Sequence, residues 1–366
     1  MNKTLTTYFL CLSIFLPVLC VRAEDEEPWP SPLDDTFLVK QIEGTVEIIE
    51  QGDEDEDGKK KGKAQKVIGR VEAGERYPYN TRLRTGRNSM ALIELYPGNT
   101  VRMLAKTTMA IVRGEDDPRL IRVGINPGEL EIRLDDYPDD HGFEVETPVG
   151  ICGAVGTRFY IMYKLHADGY TAECQISCSR GAVRFWGPFV STADDTIRAG
   201  SSFAFAIVQC PQRRYAFLPL IDILGQDIHL VLAGPHALLM ANGTSIQAAM
   251  ANVPGVAEYV AVRVLRGRIL VGSEILDEDG YARFIRGNSF IERLSAEDYM
   301  NAAEWLCQQC ARLLLPGVAP WILENIGLLP TPWDVPRWWW RHFRWGYHWW
   351  HPPWFPPWIP VSPAEP

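Results

Sequence analysis

ALIELYPGNTVRML, residues 91–104, alternates apolar and polar side chains on either side of Pro97-Gly98-Asn99. Period-two alternation belongs to a strand with one buried face, and Pro-Gly-Asn supplies the turn between two such strands. The stretch predicts a β-hairpin with Ile93, Leu95, Val101 and Met103 facing inward. The pattern continues on both sides. Upstream, QIEGTVEII (Gln41 to Ile49) alternates in the same way. It is followed by QGDEDEDGKKKGKAQ, an acid run and then a lysine run with no apolar face, which reads as a solvated hairpin loop. Its acids lack the spacing and the terminal Glu of a calcium loop. Downstream, INPGELEIRL is expected to turn at Asn126-Pro127-Gly128, and FYIMYKLHADGYTAECQIS at Asp168-Gly169. The first arm of the latter places Phe159, Ile161, Tyr163 and Leu165 on one face, and Arg158, Tyr160, Met162 and Lys164 on the other. Hairpins at this spacing predict a mainly β chain, a sandwich or roll of antiparallel hairpins.

A partial repeat extends the pattern. CSRGAVRFWG…TIRAGSSF (Cys178 to Phe203) is similar to LRGRILVG…FIRGNSF (Leu265 to Phe290), with Gly181 matching Gly267 and Gly200 matching Gly287. The second copy is expected to be a further, partial β unit. Residues 211–258, between the copies, are apolar and less regular, and GTSIQAAMANV (Gly243 to Val253) reads as a short helix. SAEDYMNAAEWLCQQCARLLL then predicts a helix over 295–315. Ser295 is its N-cap and Asp298 its N3 residue, and Tyr299, Ala302, Ala303, Leu306, Cys310 and Leu313 recur at helical spacing. This helix is expected to lie against the second β unit. The last segment, TPWDVPRWWWRHFRWGYHWWHPPWFPPWIPVSPAEP, holds most of the 13 tryptophans. Its prolines exclude a continuous helix or a central strand.

The expected organisation is therefore 1–23 signal peptide, 24–35 extended linker, 36–210 β domain, 211–294 second partial repeat, 295–315 helix and 316–366 Trp/Pro-rich tail. The signal peptide rests on Lys3, the short apolar run Leu5 to Leu19, and the small residues Val21 and Ala23 before an acidic stretch. Cleavage near Ala23 would make the protein secreted or periplasmic. Lipidation at Cys20 and an uncleaved anchor are the alternatives. A net charge of −10 argues against a nucleic-acid partner, which needs clustered Lys and Arg. Six of the eight cysteines lie beyond the signal peptide: Cys152, Cys174, Cys178, Cys210, Cys307 and Cys310. An even number permits disulfides in an oxidising compartment. Cys174 and Cys178 are separated by four strand steps, roughly 13 Å, so any bond they make must be to other strands. Cys307 and Cys310 lie inside the predicted helix, not at an N-terminus that would stabilise a thiolate. No zinc-ligand spacing is present.

TPVGICGAVGTRFYI (Thr147 to Ile161) resembles the signature of FecR-type domains, through Thr147, Pro148, Gly150, Gly153, Gly156, Thr157 and Phe159. Flanking stretches agree: Gly44-Thr45-Val46, Thr85-Gly86, Ser89-Met90-Ala91, the Pro97-Gly98-Asn99 turn and Arg180-Gly181-Ala182-Val183. The resemblance covers roughly residues 37–210. It implies an extracytoplasmic β domain. Such domains are best known in sensors that relay an outer-membrane receptor signal, typically ferric-siderophore uptake, to a sigma factor. Those sensors carry a cytoplasmic anti-sigma segment and a membrane span before the β domain. A signal peptide in that place leads us to expect a standalone secreted member, with a signal-sensing role in a sigma-factor or iron-uptake pathway as the alternative. The motif residues themselves have a structural reading. Pro148 stops a ladder, the glycines permit tight backbone where sheets meet, and Phe159 enters the core.

The seven histidines fall in no nucleophile motif. RLDDYPDDHG, with Asp135, Asp136, Asp139 and Asp140, reads as an acidic turn rather than a paired-carboxylate hydrolase site, and Asn242-Gly243-Thr244 as a plain turn rather than a glycosylation acceptor. No enzyme activity, cofactor or metal is expected. The candidate surface residues are Trp338, Trp339, Trp340, Arg341, Arg344, Trp345, Trp349 and Trp350. Their tail could pack over the β domains, meet a membrane interface, stack on sugars, or capture metal through His342, His348 and His351. The expected function is an envelope binding or structural module whose partner is an envelope protein, a glycan or a membrane surface.

Overall fold

A computed structural model describes residues 36–50, 66–114, 117–135, 137–138, 141–166, 171–209, 215–233, 236–251, 259–285 and 290–314. The fold is mainly β, with 25 strands and one helix among the described residues. The signal peptide, the acid–lysine loop and the Trp-rich tail lie outside them.

Pairing sorts the strands into two sheets. The first begins with Arg76–Pro78, Thr36–Glu43, Met90–Tyr96, Asn99–Met103 and Gly128–Arg133. It passes through the later half of Gly150–Leu165 and the earlier half of Thr171–Trp186. It continues through Ser201–Gln209, Tyr215–Leu224, Ser245–Ala251, Tyr259–Arg266, Tyr281–Ile285 and Phe290–Arg293. The second sheet begins with Val67–Arg70, Val46–Ile49, Arg82–Thr85, Thr108–Arg113, Leu120–Ile125 and Gly142–Thr147. It passes through the other halves of the same two long strands and ends with Ile228–Leu232, His236–Met240, Arg268–Val271 and Glu274–Asp277. The two 16-residue strands thus belong to both sheets.

Inward side chains of both sheets form one core running from Phe37 to Phe284. Ile93, Val101 and Met103 are fully buried and Leu95 nearly so, as the alternation predicts. Phe159, Ile161 and Tyr163 also face the core, whereas Leu165, at the hairpin end, is exposed. Ser201–Gln209 pairs with Tyr215–Leu224, and both contribute to the same core.

The chain passes repeatedly from one sheet to the other, and positive-φ residues mark the corners: Gly44, Asn80, Lys106, Gly156, Gly181, Gly200, Gly225, Gly243, Gly267 and Asp279. The matched glycines of the repeat, Gly181 and Gly267, occupy equivalent corners with φ of 75° and 78°. A Cβ on Gly267 would stand 2.6 Å from the Thr244 hydroxyl, and one on Gly181 would stand 2.8 Å from Thr157. Glycine is required there by both backbone and space.

Two expectations are corrected. Asn126-Pro127-Gly128 does not close a hairpin. Leu120–Ile125 lies in the second sheet, beside Thr108–Arg113 and parallel to Gly142–Thr147, and Gly128–Arg133 lies in the first. The expected helix over 243–253 is instead the strand Ser245–Ala251, buried on both faces. Ile246, Ala248 and Met250 join the main core, while Ala249 and Ala251 join a second cluster beneath the helix. Burial on both sides erases the period-two signal. Cys152, Cys174 and Cys178 are free buried thiols. Cys174 lies opposite Tyr163 and Phe205 rather than another cysteine.

The helix spans Ala296–Leu314. Ser295 caps it: its Oγ accepts from the Asp298 N–H at 3.1 Å and donates to the Asp298 carboxylate at 2.6 Å. Tyr299, Met300 and Ala303 are buried against Ala206, Val208, Phe217, Ala249 and Ala261 on the outer face of the first sheet.

Candidate binding groove

The helix covers the outer face of the first sheet only over its C-terminal strands. Over its N-terminal strands the same face is an open groove of about 610 Å³. Alternation places the side chains. As Ile93, Val101, Ile132, Phe159 and Cys178 turn inward, their neighbours Leu92, Glu94, Thr100, Arg102, Glu131, Arg133, Arg158, Tyr160, Ser177 and Ser179 turn outward and line the groove.

Register then sets which of them meet. One row crosses Thr100, Arg133 and Arg158 and continues past the lining to Arg180, each directly opposite the next on adjacent strands. The neighbouring row crosses Leu92, Arg102, Glu131, Tyr160 and Ser177. Lys40 pairs with Glu94 at 3.0 Å and Arg102 with Glu131 at 2.9 Å. Three arginines converge on Asp135. Arg158 Nε donates to it at 2.6 Å and a second Arg158 nitrogen makes a short bond to its other oxygen. Arg180 donates at 3.1 Å, and the Arg133 Nε stands 3.9 Å away. The Arg158 hydrogen bond, with the charges of Arg180 and Arg133, holds the Asp135 carboxyl below the usual carboxylate range. Burial, reinforced by Glu129, pushes the Tyr160 phenol up, and its hydroxyl donates to Glu129 at 2.9 Å. In a chain of net charge −10, Lys40, Arg102, Arg133 and Arg158 outnumber Glu94 and Glu131 on the groove lining.

The signature residues hold the backbone beneath this face. Thr147 Oγ1 donates to the Gly150 carbonyl at 2.8 Å and accepts from the Gly150 N–H at 3.1 Å, closing the turn into the long strand. A Cβ on Gly150 would stand 2.4 Å from the Phe185 ring, and one on Gly153 would stand 2.7 Å from the Trp186 ring. Gly156 and Thr157 form the corner between sheets, where the register shifts, and Phe159 is core. Thr147 and Pro148 also border a smaller cavity of about 260 Å³ on the second sheet, with Arg82, Asn126 and Glu146. The structure therefore brings the signature to the junction of the sheets, and only its last residue, Phe159, reaches the groove, beneath Arg158 and Tyr160.

Of the acidic turn, Asp135 is the arginine partner, while Asp136, Asp139 and Asp140 lie outside the described residues. Asn242-Gly243-Thr244 is a corner: Asn242 accepts from the Gly225 N–H at 2.8 Å and Thr244 is buried. Trp338, Trp339, Trp340, Arg341, Arg344, Trp345, Trp349 and Trp350 lie outside the described residues, as do the side chains of Cys307 and Cys310. Among the described residues no group of three or more His, Cys, Asp or Glu side chains could hold a metal ion, and no helix is long and apolar enough to cross a membrane. Reading the sequence places Arg158 on the outward face but misses Arg102, Arg133 and Arg180 as its neighbours. Outward arginines on successive strands are visible in the sequence, but their alignment depends on register.

Fold and groove together define an all-β domain whose open sheet face is a polar surface. Residues 81–184 match the model of the family described as FecR protein, and the chain thus carries a FecR-like domain there. All the groove residues named above except Lys40 fall within the matched span. Among solved structures, two crystal structures of a candidate anti-sigma factor from Parabacteroides distasonis, at 1.65 and 2.50 Å resolution, are each similar at 13% identity and a TM-score of 0.29. Each match covers 44% of this chain and 60% of the other, so the chain spans well under the full length of these relatives. No curated protein matches the chain in sequence.

Proposed function

We propose that this protein is an exported, non-enzymatic binding module of the cell envelope, and that its ligand surface is the groove on the first sheet. The observation that carries this reading is the row Arg133, Arg158 and Arg180, set in register on adjacent strands of an open face. Its groups are held in one charge state, with Asp135 ionised and Tyr160 protonated, which suits fixed recognition and not proton transfer. The FecR-like domain supports an extracytoplasmic, signalling-related setting.

The test uses the mature chain, residues 24–366, and isolated cell envelopes in a sedimentation assay. Arg133→Glu is expected to abolish co-sedimentation, and deletion of residues 331–360 to leave it intact. The converse result moves the site to the Trp-rich tail and favours a membrane or glycan reading of Trp338 to Trp350. The second reading, signal sensing toward a sigma factor, rests on the FecR-like domain. It predicts that deleting the gene changes transcription from a sigma-factor-dependent promoter.

A further inference from the structure

We propose that the groove binds an extended glycan bearing carboxylate groups, of the uronate class, which lies across the strands along the row Arg133, Arg158 and Arg180. The inference rests on the groove reading above and names its ligand.

Like charges directly opposite one another on neighbouring strands are destabilising. Here three stand in a row with the single carboxylate of Asp135 between them. Arg158 occupies both of its oxygens, and Arg180 shares one. Arg133, at 3.9 Å, is beyond hydrogen-bond distance, and the side chains of Arg133 and Arg180 are each 58% exposed. Each guanidinium carries five N–H donors in a fork that fits a planar carboxylate. The row therefore presents exposed guanidinium donors on successive strands, which lie about 4.8 Å apart.

The surroundings narrow the ligand. Thr100 and Ser177 bring hydroxyls to the same groove, while the Tyr160 hydroxyl is given to Glu129, so the surface suits a ligand rich in hydroxyls as well as anionic. Every strand of the floor between Met90–Tyr96 and Thr171–Trp186 is paired on both sides. An acidic peptide consequently has no free edge to join as an added strand. The floor also lacks the Trp and Tyr cluster that anchors protein partners.

The test is calorimetric titration of the mature chain with a defined oligogalacturonate. Dextran of matched length serves as the neutral glycan, poly-glutamate as the acidic peptide and inorganic phosphate as the free anion. Oligogalacturonate is expected to bind, more weakly as salt rises, and dextran not to bind. Arg133→Gln and Arg180→Gln should each weaken binding roughly 10-fold, the size expected of one charge-assisted hydrogen-bonding group. Thermal melts confirm that these exposed variants fold. Equal binding of dextran, tighter binding of poly-glutamate, binding of phosphate alone, or no effect of Arg133→Gln overturns the proposal. If oligogalacturonate fails to bind while Arg133→Glu still abolishes envelope co-sedimentation, the glycan assignment falls and the groove stands. If co-sedimentation survives Arg133→Glu, both fall.

Discussion

The hydroxyl of Thr244 bonds both backbone groups of Arg268: it accepts from the Arg268 N–H at 3.2 Å and donates to the Arg268 carbonyl at 2.9 Å. Thr107 does the same for Glu129, at 2.9 and 3.2 Å. In both pairs a buried threonine adds to the backbone bonding where the chain changes sheets: it meets the N–H and shares the carbonyl with a backbone donor, Leu104 for Glu129 and Ala241 for Arg268. Thr244→Val keeps the shape and removes the hydroxyl, leaving the Arg268 N–H unmet while the Arg268 carbonyl keeps the Ala241 N–H at 3.2 Å. A loss of about 1–3 kcal/mol is expected, read as a lowered midpoint in urea. Thr244→Ser should recover most of it.

Gly150 and Gly200 should respond differently to alanine. At Gly150 the new Cβ would stand 2.4 Å from the Phe185 ring and 2.5 Å from the Trp186 carbonyl, so Gly150→Ala must displace the core, at about 1–3 kcal/mol. At Gly200 nothing lies within 4 Å and only a φ of 82° opposes the change. Gly200→Ala is expected to cost about 1 kcal/mol. Chemical denaturation of the two variants side by side checks the order.

Asp135 and Asp222 should give stability opposite dependences on pH. Arg158 depresses the folded Asp135 below 3.8, so its contribution is complete above that value and is lost as pH falls through the folded one. Burial raises the folded Asp222 above 3.8, against the opposing effects of Ser245 and Arg266. Its folded form binds the extra proton, so stability falls as pH rises from 3.8 through the folded value. Urea midpoints of Asp135→Asn and Asp222→Asn against the parent, from about pH 3 to about pH 6, should diverge in these opposite senses.

Burial pushes the thiols of Cys152 and Cys174 up. Neither is expected to react with iodoacetamide in the folded protein at neutral pH, because the thiolate is the nucleophile. Peptide mapping should find both alkylated only after denaturation.

Ser295→Ala removes the helix cap and should cost about 1 kcal/mol. Hydrogen exchange should accelerate in the first turn of Ala296–Leu314, with the strands between Met90 and Arg133 unchanged.

Much of the fold was legible in local pattern. Residues 91–104 identify their own inward positions, and Ser295 and Asp298 mark the helix start. Legibility failed where the cause was not local. Ser245–Ala251 has apolar neighbours on both sides because a helix some fifty residues away covers its outer face, and no pattern within the segment records that. Asn126-Pro127-Gly128 has the chemistry of a turn, but which sheet receives the next strand depends on partners at Met103 and Tyr163. The groove was hidden for the same reason. Arg133, Arg158 and Arg180 are 25 and 22 positions apart in sequence and become neighbours only through the pairing of three strands.

The corner glycines carry one more implication. Because each corner hands the chain from one sheet to the other, the C-terminal part of the sandwich is built by accretion: each pass adds a pair of strands to one layer, and two passes widen both layers by two strands. The stretch from Gly200 to Gly243 is one such increment, entering and leaving at corners of matching conformation, with φ of 82° and 76°. A lineage of such proteins can therefore gain or lose whole increments at the far end while the arginine row, several strands away, keeps its alignment.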